Sequence, residues 1–190
     1  MTLRYDSRSR VSTYTQSWVS NADPDFGAFE SIATTTVGVT AVSEIIFSSI
    51  PQTYKHLQIR GIVRNSVTEG NLNLQFNSDT GSNYAFHQLT GDGGSTASYA
   101  TTSTAYITHG NFSGVTGIFT GVVIDILDYA NINKFKTTRN YCSFDRNGAG
   151  SFYFNSGHWR NTSAVTTVRL FAGNNAMAQY SSFALYGIKG

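Results

Sequence analysis

Few side chains in this sequence are able to do chemistry, and their spacing suits little of it. Eleven acids are spread over 190 residues. The best local pair is Asp125 and Asp128, at the end of an apolar run. A glycoside hydrolase needs two carboxylates flanking a cleft. The spacing here suits a plainer arrangement, with Asp128 opening a turn before Tyr129 and Asp125 paired to a nearby Lys or Arg. His56, His87, His109 and His158 stand at no metal-ligand spacing from one another. Serine is abundant, yet the sequence has no G-x-S-x-G elbow, phosphate loop or dinucleotide fingerprint. Asp79, set among amide side chains in 77–83, suggests calcium, but the acid count and closing Glu of an EF-hand are missing. The single cysteine, Cys142, can form neither an internal disulfide nor a thiolate metal set, and in the run YCSFD it reads as a small buried apolar residue. The expectation is a non-enzymatic protein with no cofactor and no metal.

Two other groups of residues point to binding. His158-Trp159-Arg160-Asn161 follows a strand-like run, and an exposed indole beside Arg and Asn suits stacking on a sugar ring. Tyr99, Tyr84 and Tyr153 raise the same question more weakly. The competing reading packs Trp159 beneath the edge of a sheet. At the other end of the chain lie Arg4, Arg8 and Arg10, with Trp18, Phe26 and Phe29 behind them. These are candidate contacts to a neighbouring subunit, against the simpler alternative of a solvated tail.

Composition fixes the class of scaffold. Charged residues make up 13% of the chain, about half the ~25% usual for soluble domains. Ser, Thr, Asn and Gly take their place, together with 13 Phe and 11 Tyr. Such residues favour strands and turns over helices. The net charge of +2 is too weak, and too little clustered, to argue for nucleic acid. No run approaches the ~20 apolar residues of a membrane span, and the opening Met-Thr-Leu-Arg-Tyr-Asp contains no apolar signal region. The glycosylation patterns at Asn111 and Asn161 are read as chance.

Strand rhythm begins near residue 31. Leu57, Ile59, Gly61 and Val63 fall on one face of a run, and His56, Gln58, Arg60 and Arg64 on the other, with Ile62 out of pattern. Period-two alternation requires a strand with one buried and one wet face. Further strands are expected at 34–42, 44–47, 72–77, 84–89, 105–109, 117–127, 137–146, 151–155, 165–171 and 181–188. The turn residues at 78–83 predict a hairpin over 71–89, and 91–102 reads as a long polar loop. The run at 117–127 is apolar on both faces in its centre. Residues 128–136 read as a polar connection. The fold class is therefore all-β, an antiparallel sandwich over residues 31–190 preceded by an extended N-terminal arm over residues 1–30.

Three segments, FSSIPQTYKHLQIRG (47–61), VIDILDYANINKFKTTR (123–139) and SSFALYGIKG (181–190), resemble a family of virion structural proteins of tailed bacteriophages. The turn at 77–84, NSDTGSNY, fits the same pattern. The resemblance covers residues 30–190 and implies a jelly-roll-like sandwich exposed on the phage particle surface, usually as a homotrimer, made in the host cytoplasm. A short chain with an arm in place of a fibre stalk favours a capsid decoration (cement) protein bound to the major capsid protein or other virion proteins. A tail-fibre or baseplate tip binding host glycans through Tyr99, His158, Trp159 and Arg160 is the alternative.

Overall fold

The computed structural model describes residues 29–190. They form twelve strands: β1 (Phe29–Thr36), β2 (Glu44–Phe47), β3 (His56–Val63), β4 (Gly70–Phe76), β5 (Tyr84–Gly91), β6 (Thr96–Thr104), β7 (Ile107–Phe112), β8 (Thr120–Leu127), β9 (Lys136–Asp145), β10 (Gly150–Trp159), β11 (Val168–Ala172) and β12 (Ser182–Ile188). One sheet has eight strands in the order β1-β12-β3-β8-β9-β10-β5-β6, and the other has four in the order β2-β11-β4-β7. Every pairing is antiparallel. The result is an antiparallel β-sandwich. From β1 to β4 the chain changes sheet at every strand, and two hairpins, β5–β6 and β9–β10, extend the larger sheet beyond β8. They meet where β10 pairs with β5. Strand β7 packs across the gap onto β9, β10 and β5.

Alternating side chains build the core. Leu57, Ile59 and Val63 of β3 are fully buried. Gly61 shares their face because the Phe183 ring occupies its side-chain space; a Cβ there would lie 2.3 Å from that ring. Ile62 points outward, which explains its place out of pattern. On β8, Val122, Ile124 and Ile126 are buried, while Gly121, Val123 and Asp125 face outward, so the strand alternates although its sequence is apolar on both faces. Cys142 is buried, and burial pushes its thiol up to about 12. Lys136 is fully buried as well: its ammonium donates to the carbonyls of Asn131, Lys134 and Thr162, pinning the 128–135 connection and the 160–164 loop.

The structure corrects three expectations of local architecture. Residues 71–89 are not a hairpin, because β4 and β5 lie in different sheets. Asn77 and Ser78 both adopt positive φ, 49° and 58°, which redirects the chain across the sandwich. The Asn77 side chain fixes that crossing, donating to the Ala164 carbonyl at 2.8 Å and accepting from Thr166 N at 2.9 Å. Much of the loop expected at 91–102 is strand β6, edging the large sheet, and only a short turn links it to β5. Finally, β1 starts at Phe29 and pairs with β12, so Phe29 and Glu30 belong to the sandwich.

Candidate functional site

Arg4, Arg8, Arg10, Trp18 and Phe26 lie outside the described residues. Phe29 pairs with Ile188, and the Arg60 guanidinium sits over its ring at 5.1 Å, making it part of the sheet surface. Of the four residues expected to bind a sugar, the structure withdraws the central one. Trp159 is 1% exposed. Its indole stacks on Tyr84, with centroids 6.2 Å apart, and tilts against Phe76 at 5.6 Å. Its N–H donates to Asp79 Oδ2 at 2.6 Å. Partial burial pushes the Asp79 pKa up, but hydrogen bonds from Trp159, Asn83 and Gly81 outweigh this and hold it below the usual carboxylate range. Asp79 thus caps an aromatic cluster under the 77–83 turn. The β-strand period explains the correction, since His158 and Trp159 are neighbours on β10 and must face opposite ways. Arg160 donates to the carbonyls of Thr102 (2.6 Å) and Ser82 (2.5 Å), tying that turn to the end of β6. Only Tyr99, at 67% exposure, is free in the manner expected.

The acids are engaged in structure. Asp125 accepts from Gln58 Nε2 and Arg139 Nε, both at 2.7 Å. Asp128 is bonded to Lys134 and Lys55, which bring its pKa down to about 2. His109 is buried, with Nδ1 2.7 Å from Asn140 Oδ1, and burial pushes its pKa down to about 4. Among the described residues, no group of three or more His, Cys, Asp or Glu could hold a metal ion.

The arrangement that does stand out is on the outer face of the large sheet. Register places Val123 opposite Tyr141, Tyr141 opposite Phe154, and Phe154 opposite Leu89. This apolar row crosses β8, β9, β10 and β5 on the solvent side. Tyr141, Phe154 and Leu89 are 41%, 52% and 49% exposed. The Tyr141 and Phe154 rings lie 5.0 Å apart, and Phe152 packs edge-on to Phe154 at 6.0 Å. The adjoining row is polar throughout: Gln58, Asp125, Arg139, Ser156 and His87.

A depression lies on each side of the aromatic ridge. The larger, about 830 Å³, runs between the tips of the two hairpins and is lined by Phe119, Tyr141, Phe152, Asp92 and Asp145 among others. The smaller, about 430 Å³, is floored by Leu89, Phe154, Ser98 and Tyr99. Exposed aromatic area with few charges is the composition of an interface core. Sequence reading missed this row because Tyr141 and Phe154 alternate with Asn140, Cys142 and Asn155, and polarity does not say which set faces out. No family model matches the chain, and no curated protein matches it.

Proposed function

We propose that the protein is a non-enzymatic structural subunit of a tailed-bacteriophage virion, a capsid decoration protein that sits on the head as a trimer and stabilises the shell through subunit contacts. The observation that carries this reading is the exposed apolar row of Val123, Tyr141, Phe154 and Leu89, bordered on one side by a wholly polar row and extended on the other by Phe152. Such a row favours burial against another protein, because contiguous exposed apolar area is uncommon on a monomer without an interaction role. The engaged state of Asp125 and Asp128 supports a scaffold over an enzyme. Topology supports the jelly-roll reading: with the two hairpins set aside, β1-β12-β3-β8 faces β2-β11-β4-β7, two four-stranded sheets between which the chain alternates except from β4 to β7, which pair with each other. The resemblance of segments 47–61, 123–139 and 181–190 to phage virion proteins supplies the biological setting.

The test is co-sedimentation of the purified chain with phage heads stripped of it. Wild type is expected to load saturably, and Tyr141→Asp with Phe154→Asp to weaken loading by about tenfold or more, as loss of interface anchors does. Unchanged loading of the double variant would overturn the reading.

The second reading is a tail-fibre or baseplate tip that binds host glycans. The aromatic-lined groove at the hairpin tips now favours it, with Tyr141 and Phe152 replacing Trp159 as the stacking residues. A glycan array distinguishes the two: loss of a wild-type signal in Tyr141→Ala supports the glycan reading, and no wild-type binding ends it.

A further inference from the structure

Strand β6 ends the large sheet in an unusual manner. Its nine residues, TASYATTST, are almost all exposed, with no charged side chain and no proline. One edge pairs with β5, and the other has no partner among the described residues. Natural edge strands are kept from pairing by charge, proline, bulges or short length. Here the only such device is one register shift, between Tyr84 and Phe86, near the C-terminal end of β6. Small side chains, Ala97, Ser98 and Ala100, lie along the strand, and Ser98 continues the apolar row beyond Leu89. The 430 Å³ depression opens over Leu89, Ser98, Tyr99 and Phe154, so it is reached from this edge. A free backbone edge beside a side-chain depression is what the addition of an extended strand uses.

The N-terminal sequence holds a segment of matching chemistry. Residues 11–20, VSTYTQSWVS, are uncharged and rich in β-branched and aromatic residues, and they are about as long as β6. They join the sandwich through β1, which is the opposite edge of the same sheet. Seven strand spacings separate β1 from β6, roughly 34 Å along the sheet. Ser20 and Phe29 are nine residue steps apart, which span at most about 32 Å. The segment of a neighbouring copy is free of that limit.

We propose that residues 11–20 of one copy pair with the free edge of β6 in a second copy, with Tyr14 or Trp18 filling the depression over Leu89 and Phe154. This rests on the reading of residues 1–28 as an arm between subunits, and it names the seat of that arm. Side chains on an added strand lie ~5 Å from those of β6, so a large aromatic ring over Ser98 would meet Leu89.

The experiment uses the full chain carrying Ser98→Cys together with Ser12→Cys, Gln16→Cys or Ser20→Cys, positions that share a strand face with Tyr14 and Trp18; the buried Cys142 does not compete. Under mild oxidation, at least one pair is expected to give covalent dimers and higher forms on a non-reducing gel. No cross-link from any pair, or a cross-link confined to single chains, overturns the proposal. In parallel, Ala100→Lys is expected to weaken self-association in sedimentation equilibrium by about tenfold or more with an unchanged circular dichroism spectrum, and unchanged association counts against the proposal. If removal of residues 1–25 abolishes loading onto heads while no cross-link forms, the arm reading stands and the β6 seat is wrong.

Discussion

Trp159 and Phe154 sit five residues apart on β10 and face opposite sides of the sheet. The indole fills the core against Phe76 and Tyr84 and satisfies Asp79, so its removal leaves both a cavity and a partly buried carboxylate short of a donor. Trp159→Ala is expected to cost about 3–5 kcal/mol in urea unfolding. Phe154→Ala removes a ring that is half exposed and is expected to cost less than about 1 kcal/mol. Similar losses for the two would contradict the division of labour between the faces. The aromatic types were legible in the sequence, but their direction was not, because a one-residue change of register exchanges the faces of a strand. Polarity did not help on β9, where buried Lys136 and Asn140 alternate with exposed Tyr141.

At the scale of elements, β3, β8 and β12 were legible as strands because each carries a regular buried face of apolar residues, Leu57-Ile59-Val63, Val122-Ile124-Ile126 and Phe183-Leu185. The turn at 77–83 was recognised as a turn but misassigned as a hairpin, since nothing local to it declares that β4 and β5 belong to different sheets. Strand β6 was read as loop because its Thr, Ser and Ala residues have no apolar face to bury, which is what an edge strand awaiting a partner would also show.

The layer between β7 and the β9–β10 hairpin holds His109 against Asn140. Its pKa, held near 4 by burial, lies below the ordinary value of 6.5, so the unfolded chain binds more protons in that interval. Stability contributed by neutral His109 is therefore complete above pH 6.5 and falls as pH drops toward 4, by on the order of 3 kcal/mol. His158, lowered by partial burial and by Arg160, acts in the same sense. Urea unfolding across this range is expected to show the decline, and His109→Gln to flatten most of it. An equal slope in the variant would show that the contact between β7 and β9 is not its source.

For the whole molecule, the two inserted hairpins matter most. They lengthen one sheet of the sandwich to eight strands, and the apolar row and both depressions lie largely on the added strands β9, β10, β5 and β6. The sandwich beneath supplies rigidity, and the extension supplies the surface. The sandwich class followed from composition and turn spacing. The surface did not, because it requires β10 and β5, distant in sequence, to be paired in register.

The most direct test of this account is hydroxyl-radical footprinting of the protein free and bound to phage heads. Tyr141, Phe154 and Leu89 are predicted to lose most of their labelling on binding, while Ile132, exposed away from the row in the 128–135 connection, keeps its own. Equal labelling of Tyr141 and Phe154 in the free and bound states would contradict the claim that this sheet face is the contact surface.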